Sequence, residues 1–420
     1  MKRNLLSSTI TRILFVIMLC LPAWNSMQAK DPEAYAVLDK ETCTLTFKYD
    51  TERPKGAYKL NKDEDLPAWV VKDLYQMSNM NRIKKVVFEN SFAQARPESC
   101  HEWFYGCNEL TTIEGIENLN TENATSMCNM FCNCSSLTSI DVSHFNTKNV
   151  TNMSNMFAHC SNLTTIDVSN FDTQNVEGME SMFAYCNNLT KLDLSNFNTQ
   201  NVMTMGWMFY RCTSLEELNI SNFNTQNVED MQSMFEECSA LNELNVSSFN
   251  TQNVTNMDWM FHNCKKLTDI DVSRFNTPNV TRMKAMFYNC INITELNLAK
   301  FDTKKVTHMG IMFYGCTNLT TIYASDKFVT TAVEISDNMF DNCKKLVGAV
   351  PYDSEKVGHE MANYETGYFT DITKTGIEGA SISDNTAAKY YDVQGRSLDA
   401  PQKGINIVKR GGRTMKVLVK

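Results

Sequence analysis

One cysteine recurs every 26 residues, at Cys134, Cys160, Cys186, Cys212, Cys238, Cys264, Cys290 and Cys316. Looser copies 27 residues away extend the column to Cys107 and Cys343. A chain self-similar at a fixed period of this size folds as stacked copies. Each copy carries two apolar patterns. Leu137, Ile140, Val142 and Phe145 return as Leu163, Ile166, Val168 and Phe171, then as Leu189, Leu192, Leu194 and Phe197. The Ile140-x-Val142 alternation predicts a short strand with both side chains on one face. Val150, Met153, Met156, Phe157 and Cys160 follow, and from Met153 onward the spacing predicts a short amphipathic helix. Between the two, Asn146-Thr147 or Asp172-Thr173 predicts a turn with local side-chain hydrogen bonds. Pro278 stands where the preceding copy has Gln252, so the backbone N–H there is expected to lie outside any ladder.

A single copy leaves apolar surface open on both sides, and only neighbouring copies can close it. Phe131, Phe157, Phe183, Phe209, Phe235, Phe261 and Phe287 are therefore expected to stack as an aromatic spine. The L-x-x-L-x-L spacing is that of a leucine-rich repeat. The expected fold class is α/β: a leucine-rich-repeat solenoid with one short strand and one short helix per copy.

The formal net charge is −9 over 420 residues, and it grows more negative once a leader carrying Lys2, Arg3 and Arg12 is removed. An acidic array argues against nucleic-acid binding, which needs a basic stripe. Residues 1–29 read as a signal peptide, with a basic start and an apolar run from Ile13 to Leu21, too short for a membrane span. Cleavage is expected after Ala29. Cys20 raises the question of a lipid anchor, but Leu19 before it is too bulky for a good lipobox. No later stretch is apolar enough to cross a bilayer.

Cysteines in an exported chain suggest disulfides. Here one per copy, in register with interior Met and Phe, behaves as a small buried hydrophobe, and parallel Cβ vectors suit a bridge poorly. Cys128-x3-Cys132-x-Cys134 is the one spacing reminiscent of zinc ligands, but Cys134 belongs to the column and no histidine is near in sequence. No phosphate-binding loop, nucleophile elbow or H-E-x-x-H motif occurs. His101, His144, His159, His262, His308 and His359 fall at different repeat positions. The chain is read as a non-enzyme without a cofactor.

Two surface columns are candidates for partner binding. Asp141, Asp167 and Asp193, continued by Asn219, Asn245, Asp271 and Asn297, line the outer strand side beside a serine column. Stacked carboxylates repel unless a cation or a donor intervenes, so the column is either a cation track or a hydrogen-bonded ladder. Trp207 and Trp259 replace Asn155, Ser181 and Ser233 at a position facing away from the apolar stripe, with Tyr185, Tyr210, Tyr288 and Tyr314 beside it. Exposed aromatics are what interfaces favour, whereas half-covered rings would only pack on the next copy. Asn-x-Ser/Thr strings such as Asn162-Leu163-Thr164 are incidental to the repeat.

The flanks differ. Residues 30–78 form a leader or cap, with a strand over Thr42–Tyr49 pairing with Tyr35–Leu38. Residues 79–350 form the array, with Ile83–Phe88 as its first strand. Residues 351–388 read as a partly ordered linker. Residues 389–420 form a basic β tail with strands at Tyr390–Val393, Gly404–Val408 and Met415–Val419.

The string LTKLDLSNFNTQNVMTMGWMFYRC, from Leu189 to Cys212, closely resembles the BspA-like leucine-rich repeats of bacterial surface proteins, and the likeness spans roughly residues 79–346. The Tyr391-Asp392-x-x-Gly395-Arg396 and Lys403-Gly404-x-x-x-Val408 elements resemble C-terminal sorting tails of Bacteroidetes proteins. These resemblances imply an exported protein at the cell surface, associated with the outer membrane. Its implied role is adhesion or binding to a host matrix protein or another cell. A structural or glycan-binding envelope module is the alternative.

Overall fold

The computed structural model describes residues 30–62, 65–71, 80–374, 389–391, 397–398, 402, 404–410 and 413–419. The expected signal peptide and the Cys20 question lie outside the described residues.

Strands β1 (Glu33–Asp39) and β2 (Thr44–Asp50) form an antiparallel hairpin in the register Glu33↔Asp50. Asp39 closes its turn by accepting from the Glu41 N–H at 2.8 Å and the Thr42 hydroxyl at 2.8 Å. β3 (Tyr58–Lys59) adds to one side, and a four-residue helix α1 (Ala68–Val71) follows. On the other side β4 (Lys85–Phe88) and β5 (Thr112–Glu114) run parallel to β2, giving the order β3-β1-β2-β4-β5. Phe47 of the hairpin stacks on Phe88 and Trp103 at 4.6 and 5.0 Å. Trp69 and Trp103 meet their buried N–H groups with the Trp103 carbonyl and the Asn61 side chain. The apolar end of the array is thus covered by rings that keep their polar atoms paired.

Beyond residue 98 the copies lie side by side in parallel. Single β-bridges link Ser126 to Asn152, Asn152 to Gly178, and so on through Thr204, Asp230, Asn256, Arg282 and His308 to Ile335. Past β5, the expected strand at Ile140-x-Val142 becomes regular in four further copies among the described residues. These are β6 (Lys191–Asp193) with β7 (Glu217–Asn219), and β8 (Glu295–Asn297) with β9 (Thr321–Ala324), both pairs parallel.

The expected helix does not form. Residues 153–160 make three overlapping turns, with Met156, Ala158 and Cys160 donating to the carbonyls of Met153, Asn155 and Phe157 at 3.1–3.2 Å. The alternate N–H groups, of Met153, Asn155, Phe157 and His159, instead reach Gly178, Glu180, Met182 and Ala184 of the next copy at 2.7–3.0 Å. An α-helix would keep those donors within the segment. Asn155 and His159 have φ of 56° and 60°, each at the third position of its turn, the requirement of a type II turn. Met153, Met156, Phe157 and Cys160 are the first and fourth residues of the outer two turns, all at most 1% exposed. Turn ends spaced 3, 1 and 3 reproduce helical spacing, which is why the pattern reads as a helix.

Three interior columns join the copies. The phenylalanine spine stacks from Phe104 to Phe340 with centroid separations of 5.2–6.2 Å. The fourteen described cysteines are thiols, and each column thiol from Cys134 to Cys343 donates to a phenylalanine carbonyl of the preceding copy, as Cys160 does to Phe131 at 3.2 Å and Cys316 to Phe287 at 3.0 Å. The threonine expected to serve a local turn does something else. Thr147 is buried, donates to the Asp172 carbonyl at 2.9 Å and accepts from the Asp172 N–H at 2.8 Å. Thr173, Thr199 and Thr225 repeat both bonds one copy further each time. Gln252 N–H bonds the Asn250 side chain within its own copy, so proline at 278 interrupts no inter-copy bond.

Residues 351–374, the first part of the expected partly ordered linker 351–388, carry ordered elements. β10 (Thr370–Asp371) pairs in parallel with β9, and buried Tyr368 and Phe369 close the far end against Phe313, Phe328 and Phe340. The last copy has an apolar wall that needs cover, and a one-off cover has no periodicity to betray it. The tail holds β11 (Lys389–Tyr391), β12 (Ser397–Leu398), β13 (Gly404–Arg410) and β14 (Arg413–Val419) in the antiparallel order β12-β11-β13-β14. The sequence reading misses the two-residue β12.

Candidate partner-binding face

The turn segments put two left-handed positions of every copy on one face. The first column holds Glu102, Asn129, Asn155, Ser181, Trp207, Ser233, Trp259, Ala285, Ile311 and Asn338, and the second Gly106, Asn133, His159, Tyr185, Arg211, Glu237, Asn263, Asn289, Gly315 and Asn342. Asparagine and glycine suit this conformation, and bulky residues do not. Trp207 at φ 57°, Trp259 at φ 63° and Ile311 at φ 52° are therefore costly occupants, and such strain gathers at sites of function. The many asparagines and glycines in the second column were the signal for this geometry, hidden beneath the helical spacing.

All six aromatic candidates lie here, each half-buried. They fall into two groups. His159 stacks on Tyr185 at 4.0 Å, Tyr185 meets Tyr210 edge-on at 5.0 Å, and the Arg211 guanidinium lies over both tyrosines at 5.5 and 5.4 Å. Further along, Trp259 contacts His262 at 4.9 Å and Tyr288 at 6.3 Å, Tyr288 stacks on Tyr314 at 4.9 Å, and the Lys284 ammonium sits 5.6 Å over Trp259. An open depression of about 290 Å³ lies beside the first group, lined by Trp207, Tyr185, Tyr210, His159, Glu180 and their neighbours. Burial pulls the His159 imidazole below its ordinary range, and burial together with the Tyr185 hydrogen bond pushes Tyr210 up to about 12. Burial, then the field of Asp230, raises the Glu180 carboxyl. Glu180, His159 and Arg211 were missed by the sequence reading, since nothing in the period links them to an aromatic two copies or less away.

Asp141, Asp167 and Asp193 are exposed and lie outside that face. Each accepts from the N–H of the serine two residues on, at 2.9 Å, and Asn219 and Asn245 do the same. The serine's hydroxyl and N–H bonds hold these carboxylates below their usual range. Aspartate and asparagine alternate in the column because either caps the same turn.

Among the described residues, one histidine–carboxylate group is close enough to hold a metal ion: Glu236, Glu237 and His262, with ligand atoms within 4.8 Å of one another. Its polar atoms already have partners in the chain. His262 Nδ1 lies 2.9 Å from Glu236, and Arg211 lies 3.2 Å from Glu237. Of the cysteine triplet, Cys134 donates its thiol to the Phe104 carbonyl, and Cys132 packs with Ala158 and Ala184. Burial pushes the column thiols up, so they do not supply thiolate nucleophiles. No helix among the described residues is long and apolar enough to cross a membrane.

Nothing among curated proteins matches the chain. Solved structures similar to it include a leucine-rich cell surface protein from Faecalibacterium prausnitzii A2-165, at 16% identity and TM-score 0.26 over 75% of this chain and 93% of that one. A leucine-rich repeat protein from Bacteroides ovatus has 14% identity and TM-score 0.31 over 76% and 82%. One from Eubacterium ventriosum has 13% identity and TM-score 0.28 over 75% and 82%. At those scores the overlays carry no argument. Residues 98–214, 186–295 and 268–366 match the family model described as "Mycoplasma protein of unknown function, DUF285". These overlapping matches run from 98 to 366, more than half of the chain, and the chain belongs to the DUF285 family.

Proposed function

We propose that this chain is an exported surface protein, a leucine-rich-repeat solenoid of the BspA-like kind, that binds a protein partner by non-covalent contact through its turn face. The observation that carries the reading is the contrast in the left-handed columns. Asn, Ser and Gly satisfy the backbone there, yet Trp207, Trp259, Tyr185 and Arg211 occupy them. Rings and guanidinium groups placed at a backbone cost, half-covered and contiguous over several copies, are what recognition surfaces use. Export follows from the basic start and apolar run of residues 1–29, and the basic β tail of residues 389–420 serves as a sorting-like element. Asp141, Asp167 and Asp193 keep the opposite border solvated in this reading.

The test is to probe the purified full chain against an array of matrix proteins and polysaccharides. Saturable capture of a matrix protein, lost in a Trp207→Ala/Trp259→Ala double variant that still unfolds cooperatively, supports the reading. Retained binding with lower stability makes the rings structural, and capture of polysaccharides alone moves the reading to a glycan-binding envelope module. Protease accessibility on intact cells tests the surface location.

A further inference from the structure

The two tryptophans occupy equivalent positions, two copies apart, in opposite charge environments. Trp259 is satisfied from within the chain: Lys284 lies over its ring, and His262 and Tyr288 touch its edges. The residue in the Lys284 column one copy after Trp207 is Gln232, which accepts from Asn256 at 2.8 Å. The residue one copy before Trp207 in that column is Glu180, where Trp259 has the neutral Gln232. The Trp207 indole makes no ring contact, cation contact or hydrogen bond among the described residues, and the Glu180 carboxylate makes no ion pair or hydrogen bond there. Trp207 follows Gly206, and a Cβ on that glycine would stand 3.7 Å from Asp230 Oδ2. Asp230 lies behind Gly206 and is not in the lining of the depression, so Glu180 is the one carboxylate of that lining. Arg211 is committed to Glu237 and to the two tyrosine faces, and Arg282 to Asp258 at 2.6 Å.

We propose that the depression beside Trp207 receives a basic side chain, lysine or arginine, from the protein partner: its aliphatic stem and cation lie on the indole and its charge meets Glu180. The site reproduces between molecules what Lys284 and Trp259 make within one. A cation over an indole, next to a desolvated carboxylate, gains from both ring quadrupole and charge. A neutral sugar would hydrogen-bond Glu180 through a hydroxyl but bring no charge to meet it. The inference rests on the partner-binding reading and names the chemistry that reading lacks.

The test titrates the labelled full chain with acetyl-Gly-Lys-Gly-amide and with its uncharged norleucine counterpart, following tryptophan indole N–H resonances. The resonance missing from Trp207→Asn identifies the site. The lysine peptide is expected to move that resonance saturably, and the norleucine peptide to leave it in place. Glu180→Gln is expected to weaken the titration about tenfold. Both Trp207→Asn and Glu180→Gln copy residues this fold already uses in those columns, and the comparison of the two peptides on the unaltered chain does not depend on either. Equal movement with norleucine, no effect of Glu180→Gln, or movement with maltotriose and not with lysine overturns the proposal. If the lysine peptide fails while a matrix protein is still captured on the array, this inference falls and the binding reading stands. If both fail, the binding reading falls as well.

Discussion

The interior and the turn face of each copy follow opposite rules. Inside, Thr147, Phe157 and Cys160 recur with hardly a change, because each bonds or stacks on a neighbouring copy as well as packing in its own. A substitution there disturbs two copies. On the turn face, the left-handed positions hold Asn, Ser, Trp, Ala, Ile, His, Tyr, Arg and Glu in turn. Their side chains pair differently from copy to copy, His159 stacking on Tyr185 and Arg211 meeting Glu237. The lesson is that identity in this chain follows contacts repeated unchanged along the array, and variation follows contacts made once.

Predictions can break that contrast, beginning with the interior. Phe209 stacks on Phe183 and Phe235 at 6.2 and 5.6 Å and is fully buried. Phe209→Ala is expected to cost about 3–5 kcal/mol in denaturant unfolding; a loss below about 1 kcal/mol would remove the spine from the core. Thr199→Val deletes both bonds to the Asn224 backbone and leaves a donor and an acceptor unmet, so a loss of about 1–3 kcal/mol is expected by the same method. A neutral outcome would show that water replaces the hydroxyl.

The face should answer differently. Trp207→Asn relieves a bulky residue held at φ 57°, and stability is expected to hold or rise by about 1 kcal/mol. A clear loss would mean that the indole packs as part of the core. The smallest effect belongs to the aspartate column. Hydrogen bonds lower the folded value of Asp167. Its contribution is therefore present above the ordinary carboxylate range and is lost as pH falls through the lowered folded value. Asp167→Asn keeps the turn cap, and its thermal midpoint is expected to match the parent at neutral pH and to lose a little of the parent's acid sensitivity. A midpoint that drops at neutral pH would give the carboxylate a role beyond the cap.

Much of this was legible in the chain. Met153, Met156, Phe157 and Cys160 read as interior because burial leaves a periodic trace whatever the backbone does. The backbone itself was not legible: the ends of overlapping turns and one face of a helix have the same spacing, and only the asparagines and glycines at the left-handed positions, Asn133, Asn155, Asn263 and Gly315 among them, separate them. Thr147 reads as a turn residue because its two bonds go to Asp172, 25 residues away, and no local rule sees that far. Tyr368 and Phe369 cover the end of the array once, so no repetition announces them. Of the candidate face, the six rings were legible as outward. The charge that distinguishes Trp207 from Trp259 was not, since Glu180 and Lys284 come from neighbouring copies.

The central claim is that the copies are translational equivalents, each bonded to the next through the same donors and acceptors. Excising residues 213–238, one whole copy, joins Cys212 to Ser239 in register and tests it most directly. The expected result is a protein that still unfolds in one cooperative step, slightly less stable than the parent, while deletion of residues 213–225 alone abolishes that step. If the whole-copy deletion fails to fold as the half-copy deletion does, the copies are not interchangeable and the account is contradicted.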